Sequence, residues 1–446
     1  MKALPILDTH AAFCDVGDKL MHVSIAGGPP KVFGTLTCQL HELRDWLLNE
    51  GANSVAMEAT GVYWLALYSV LEEAGLDVMM VNGRQTRNLP GRKTDMLDCQ
   101  WGATLHAHGL LKPGFVPPAH IRKLQDYQRL RTDHIGLAAS HVQHMQKALE
   151  RMNIKLHTVI SSLTGASGLA VVRAILDGQR DPEKLLALCH SQIRENKAGE
   201  VTQALHGTWA AEHLFALKQA LQSWEHYQEQ IAECDGQIQA LLQGITFDDT
   251  PDAGMGQDTK TTKAHAGKGR SVNAPRIPGL HNMLVKLCQG KDLTTLPAHT
   301  DYSVLQIISE VGTDLSNWHT EKHFTSWMGL APGTHQSGQR RASVKRSRNR
   351  VGRLFCVMAR SLARSKDIAL GGFYRRLAVR RGGLVANIAL ARKLAAMFWR
   401  VMVKGLEFVE HGLAAYETKM QEAKQRTLRR LAKELGQTVS PIQNTA

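Results

Sequence analysis

The chain holds seven cysteines in 446 residues, an odd number, and none lies in a CxxC pair. Cys14, Cys38, Cys99, Cys189, Cys234, Cys288 and Cys356 are too scattered for a disulfide framework or a zinc site, so reduced structural thiols are expected. Long apolar runs are missing too. No stretch is long enough to span a bilayer, and the N-terminus lacks a signal peptide's apolar core. These absences lead us to expect a soluble, cytoplasmic protein with no membrane partner. Acidic residues are scarce in one region only. Between residues 340 and 434, 24 Lys and Arg stand against 6 Asp and Glu, a local +18 within a net +14, which leaves the remainder at −4. A field so concentrated points to a polyanion partner. A basic tail that merely aids solubility explains less, because the charge lies within amphipathic segments.

What is present reads as several domains, since the length exceeds the usual single-domain size. Residues 1–112 read as α/β. Strand-like runs fall at 11–15, 20–26, 31–34, 54–57 and 77–81, and helical patterns at 39–49 and 63–73. The closely spaced opening runs suit antiparallel strands, and the later strand–helix–strand spacing suits parallel crossovers. A Pro-marked stretch at 112–118 closes this part. Residues 119–244 read as helical, with long polar helices at about 119–156 and 212–242 and shorter ones at 165–207. Two such helices suggest an antiparallel coiled coil, a frequent oligomerisation or spacer device; a plain bundle within one subunit fits equally well. A homodimer or homotetramer is the expected assembly. Residues 245–275 lack apolar periodicity and read as a flexible loop or insertion. A mainly helical domain at 276–410 and a basic helical tail at 411–446 complete the chain.

Four acidic residues and one serine carry the candidate chemistry. Asp15 ends the first apolar run and Glu58 follows the fourth. Asp95 and Asp98 stand three apart at the start of a helical pattern over 95–108, so both project from one helical face. Strand-end carboxylates converging with a helical pair can form a hard-oxygen site for divalent cations, and paired Mg²⁺ ions serve phosphodiester chemistry. Any one of the four alone reads as a surface acid or a helix cap. Arg92 and Lys93 precede a helix N-terminus that favours anions and are candidate phosphate contacts. Ser337 sits in a turn signal, 332–338, after a helix predicted at 321–328. The neighbouring Gly338 lets a phosphate approach closely. Behind it, Arg340, Arg341, Lys345, Arg346, Arg348, Arg350 and Arg353 can neutralise phosphates and a pentavalent transition state. By itself a Ser-Gly pair is a turn element, and only His335 is near enough in sequence to act as its base. His106 and His108 lack ligand partners at plausible spacing and read as structural. Tyr63, Trp64 and Trp101 are expected to pack the sheet, and a basic helix near 375–381 to join the nucleic-acid surface.

The flanks of these residues resemble a known family. Asp15-Val16-Gly17 with Leu20-Met21-His22-Val23, Met57-Glu58-Ala59-Thr60-Gly61-Val62-Tyr63-Trp64, and Lys93-Thr94-Asp95-Met96-Leu97-Asp98 are similar to the DEDD signature of insertion-sequence-110 family transposases. The stretch from Thr325 to Gly338, TSWMGLAPGTHQSG, is similar to the family's C-terminal transposase domain. The resemblance covers roughly 8–112 and 300–404 and implies a RuvC-like, ribonuclease-H-type N-terminal fold. It further implies Mg²⁺ at Asp15, Glu58, Asp95 and Asp98, and Ser337 as a nucleophile that links covalently to DNA. It also implies that the carboxylate and serine domains act as one composite site. The implied partners are donor and target DNA and a structured guide RNA, the last carrying sequence choice by pairing. The length, the long central helices and the 245–275 stretch resemble the longer insertion-sequence-1111 subgroup. The family's Gly-rich helix–hairpin–helix turn is degenerate here at 294–314, where only Glu310-Val311-Gly312 matches it. Two other functions stay open on the residues alone: a RuvC-like metal nuclease or junction resolvase, which has no use for Ser337, and a non-catalytic nucleic-acid-binding scaffold.

Overall fold

Five short apolar runs assemble into one sheet of order β3-β2-β1-β4-β5 in a computed structural model. It describes residues 5–58, 61–83, 86, 94–248, 271–332, 336–337, 340–341, 347–366, 368–405 and 412–439. The chain divides into two compact units, Met1–Val116 and Pro117–Ala446. In the first, β1 (Ala12–Val16), β2 (Leu20–Ile25) and β3 (Lys31–Gly34) form an antiparallel meander. Helix α1 (Thr37–Asn49) then leads to β4 (Ser54–Glu58), and α2 (Trp64–Glu73) to β5 (Asp77–Val81), both strands lying parallel to β1. Helix α3 (Asp95–Ala107) follows. This mixed topology is consistent with the ribonuclease-H-type expectation.

Strand periodicity sorts the two faces of that sheet. Ala12, Cys14 and Val16 of β1 join Val55 and Met57 of β4 in a core with Leu40, Leu43 and Leu47 of α1 and Leu67 and Leu71 of α2. The alternate residues Phe13 and Ala56 face the other way and pack with Cys99 and Ala103 of α3. Trp64 packs against the first core and meets Tyr68 edge-on at 5.4 Å. Tyr63, expected to pack the sheet, is instead 49 % exposed, because it precedes α2 and lies outside the helix's apolar stripe.

The second unit is helical. Helix α4 (Ala119–Arg151) runs to a small cluster of α5 (Leu156–Val159), α6 (Ala166–Leu176), α7 (Pro182–Ala187) and α8 (Ser191–Ala204). Helix α9 (Ala211–Asp248) returns antiparallel to α4: Met145 and Leu149 share a core with Leu217 and Leu221, whereas Arg131 meets Asp235. The expected loop at 245–275 therefore begins later, since its first four residues continue α9. Buried residues of α4 recur at steps of three, four or seven through Ile121, Leu124, Gln128, Arg131, Ala138, Met145 and Leu149. The stripe is interrupted by polar groups, and Arg131 is the most consequential. Its Nε donates to Asp235 Oδ1 at 2.6 Å, and its Nη1 to Asn273 O at 3.0 Å and the Tyr302 hydroxyl at 3.3 Å. Asp235 Oδ2 accepts the Arg276 N–H at 2.9 Å. A buried charge pair is tolerated when its remaining hydrogen-bonding groups are satisfied, as here.

Beyond it lie α10 (Leu280–Leu287), α11 (Asp301–Val311), α12 (Glu321–Trp327), a two-stranded hairpin of β6 (Gln336–Ser337) and β7 (Arg340–Arg341), α13 (Arg350–Ala363), α14 (Ala369–Arg381), α15 (Gly383–Lys404) and α16 (Gly412–Glu434). Glu310, part of the degenerate turn match, is engaged internally by a two-pronged bond from Arg129 at 2.9 and 2.7 Å. An aromatic core unites this region: Phe398 of α15 stacks on Phe324 of α12 and meets Phe355 of α13 edge-on.

His299 is buried in that core, stacked on Phe398 at 6.1 Å, with Nδ1 3.0 Å from Pro297 O. Burial lowers its pKa to about 4, against 6.5 in the unfolded chain. Between those values the unfolded state binds the extra proton, so stability falls as pH drops through the window and levels off below it. The full effect is about 3 kcal/mol, from the energy of one pKa unit. Replacing His299 by Phe should remove this part of the acid sensitivity. Urea unfolding at pH 7 and at pH 4.5 is the check: an unchanged pH dependence in the variant would refute it.

Candidate active site

The strand alternation that buries Phe13 also turns Asp15 to the α3 face. The parallel register of β1 and β4, which pairs Cys14 with Met57, carries the strands on to Asp15 and Glu58 at their ends. Helix α3 starts above them because the Thr94 side chain caps it, accepting the Leu97 N–H at 3.3 Å. Asp95 and Asp98 then fall in its first turn, where the helix dipole favours negative charge. Asp95 is exposed, whereas Asp15, Glu58 and Asp98 are half-buried.

The four carboxylates share one electrostatic neighbourhood. Burial raises the Asp15 pKa above its usual value, and Asp95, Glu58 and Asp98 each push it further in that direction. Only His22 opposes them, and it is the cross-strand partner of Asp15 in the β1–β2 register. Glu58 is held from one side by the Thr86 hydroxyl, which donates to Oε2 at 3.1 Å. Among the described residues, no group of three or more His, Cys, Asp or Glu lies close enough to enclose one ion. The donor chemistry is nonetheless that of a hard cation, all carboxylate oxygen, and Mg²⁺ commonly takes one or two carboxylates and completes its shell with water and substrate phosphate.

Helix α3 is fastened along its length. The buried Cys99 thiol lies 3.0 Å from His22 O and 3.3 Å from Phe13 O, and burial raises its pKa to about 12, which keeps it a donor. Gln100 Nε2 donates to Gly28 O at 3.2 Å, and His106 Nε2 meets Ser54 Oγ at 2.8 Å, so His106 is structural. His108 Nδ1 lies 2.8 Å from Pro5 O. Sequence reasoning missed His22, Thr86 and Cys99. The signal for His22 was available: a tight turn over 17–19 that pairs Val16 with Met21 must also pair Asp15 with His22. Arg92 and Lys93 lie outside the described residues.

Ser337 belongs to the second unit. It stands on β6, paired across the hairpin with Arg340, and Gln336 pairs with Arg341. The segment entering this hairpin passes Gly329, whose φ is +74° and where a Cβ would stand 2.6 Å from Ser347 O. The chain before the hairpin and the chain after it thus touch backbone to backbone. Asn349 then caps α13 by accepting the Gly352 N–H at 2.8 Å. Arg348 is half-buried, and Arg350 and Arg353 are exposed on the first turn of α13. His335, Lys345 and Arg346 lie outside the described residues. Arg360, Arg364, Arg376 and Arg380 extend the exposed positive surface across α13 and α14.

That surface makes a salt prediction. Each phosphate neutralised on duplex DNA contributes about −0.9 to the slope of log affinity against log salt. Arg350→Gln with Arg353→Gln should therefore flatten the slope by up to about 2 and weaken binding at every sequence alike. Titrations of labelled DNA at several salt concentrations test it; an unchanged slope would assign the charge to solubility alone. Point changes are required, since cutting the chain after Gly338 would remove Phe355 and Phe398 from the core.

Two family models match the chain. One, of DEDD transposases of the IS110 type, covers residues 14–154 and so contains all four carboxylates. The other is the transposase IS116/IS110/IS902 family, over 290–375, containing Ser337 and the basic run behind it. No curated protein matches significantly. No helix among the described residues is long and apolar enough to cross a membrane. With both parts of the architecture present in their order over about half of the 446 residues, the chain belongs to the IS110 family of transposases, enzymes that act on DNA.

Proposed function

We propose that this transposase cuts and rejoins DNA through Ser337, with Mg²⁺ held by Asp15, Glu58, Asp95 and Asp98. The observation that carries the metal reading is the shared field at Asp15, whose carboxyl is disfavoured as an anion by three other acids at once. Such a cluster is relieved by a cation. When bound, Mg²⁺ supplies Lewis-acid polarisation of the scissile phosphate.

The serine reading rests on the position of Ser337 within the matched family segment and on the arginines that follow it. The Ser337 oxygen bonds to phosphorus, the sugar oxygen of the cut strand leaves, and the serine proton passes to it. Attack by the hydroxyl of another strand reverses the step and frees the serine. One phosphodiester is exchanged for another, so no external energy source is required. Arginines flanking the hairpin balance the charge that builds on the phosphoryl oxygens. Sequence choice falls to an element-encoded guide RNA that pairs with donor and target, which suits a protein whose basic surface meets backbone. A homodimer or homotetramer is the working assembly, and the chain's length and long central helices fit the longer 1111 subgroup.

The decisive assay combines protein, element RNA, donor and target DNA with Mg²⁺, followed by denaturing electrophoresis. A labelled DNA strand that migrates with the protein supports the serine mechanism. Cleavage without that adduct supports a metal nuclease, and binding without cleavage a scaffold.

A further inference from the structure

Helix α3 lies closer to β1 than a helix with a side chain at residue 102 could. A Cβ at Gly102 would stand 2.6 Å from three carbons of the Phe13 ring, and both residues are buried. Phe13 is two residues before Asp15 on the same strand face, and Gly102 is one turn beyond Asp98 on the same helix. Between them, the single S–H of Cys99 is shared between backbone carbonyls of β1 and β2, Phe13 O and His22 O. The helix carrying two of the four carboxylates is therefore set against the strand carrying a third by a contact with no room to spare.

We infer that Gly102 and Cys99 are positioning residues of the carboxylate site, fixing how far Asp95 and Asp98 stand from Asp15 and Glu58. This rests on the metal reading above. A methyl group at residue 102 has two ways to fit: the Phe13 ring turns, or α3 lifts from the sheet. Phe13 is 2 % exposed and walled by Ala56, Val81, Cys99 and Ala103, so the helix moves. Because His106 ties the far end of α3 to Ser54, the displacement is passed toward the first turn, where Asp95 and Asp98 sit. Core contacts on the opposite sheet face have no such lever on the carboxylates.

The test is Mn²⁺ binding to the full-length protein, read from the electron paramagnetic resonance of the free ion. Asp15→Asn is the reference and should weaken binding at least tenfold. Gly102→Ala should weaken it about tenfold, the scale seen when groups behind metal ligands are altered. Phe13→Leu added to Gly102→Ala makes room for the methyl group and should restore affinity to within about threefold of wild type. Leu47→Val, in the core on the other face, should lower the melting temperature and leave Mn²⁺ affinity unchanged. Should Gly102→Ala fail to fold, Cys99→Ala decides, with binding expected about threefold weaker for the loss of one weak hydrogen bond.

Wild-type affinity in Gly102→Ala or, where that protein does not fold, in Cys99→Ala overturns the inference. So does a double variant no better than the single, or an equal loss in Leu47→Val. Wild-type affinity in Asp15→Asn overturns the metal reading itself and this inference with it.

Discussion

Asp15→Asn should abolish recombination and at the same time raise the melting temperature of the metal-free protein. The two effects have one cause. Burial and three neighbouring acids lift the folded-state pKa of Asp15 above its usual value. A carboxyl with a raised folded pKa stabilises the fold fully below its unfolded pKa of 3.8, and that contribution is lost as pH rises through the folded value. At neutral pH the ionised group therefore opposes folding, and the uncharged amide removes the opposition. A divalent cation removes it too, so Mg²⁺ should raise the melting temperature of the wild type and do little for the variant. The activity loss should be on the order of 10³-fold or more, since a metal ion contributes several kcal/mol of charge stabilisation at a reacting phosphate. Thermal melts with and without Mg²⁺, paired with a recombination assay, measure both. Full activity in Asp15→Asn or in EDTA would remove the carboxylates from the chemistry.

Ser337→Ala should leave folding and nucleic-acid binding nearly unchanged and eliminate strand exchange together with the protein–DNA adduct. The substitution removes one oxygen from a two-residue strand and spares the backbone pairing of Ser337 with Arg340. A nucleophile has no partial substitute, so the loss should reach the detection limit. Ser347→Ala and Ser343→Ala are internal controls in the same basic stretch and should stay active. Ser347 is exposed and serves the structure through its carbonyl, which faces Gly329 and survives the change. Cleavage that persists in Ser337→Ala would transfer the reaction to hydrolysis by water at the carboxylates, the chemistry of a nuclease.

Local signals were legible because their physics is local. The apolar run of β1, the helical spacing of Asp95 and Asp98 and the Pro-marked stretch after α3 each depend on a few neighbouring residues, and the structure reproduces those elements within one or two positions. The carboxylates were legible for a similar reason, as strand ends and a helix start are where a sheet presents side chains together. What was not legible depends on contacts between distant segments. Gly102 reads as a weak helix residue until Phe13 is seen 89 positions away to occupy the space of its missing side chain. Arg131 and Asp235 read as charges on solvated helix faces. Only the antiparallel meeting of α4 and α9 buries them against each other. The arginine that interrupts the apolar stripe of α4 is thus matched to a partner rather than exposed.

That matched pair also defines where the chain comes back. Helix α9 continues to Asp248, yet Asn273 is bonded to Arg131 of α4 and Arg276 to Asp235, which lies 13 residues before Asp248 on α9. At 1.5 Å per residue the two ends of the intervening segment are anchored roughly 20 Å apart. Its attachment points are fixed by the helix pair, independently of how much chain lies between them. Doubling the length of such a connection costs only about 0.6 kcal/mol in closure entropy. An insertion between residues 248 and 271 of this chain, a reporter domain included, should therefore leave the stability of the helix pair nearly unchanged.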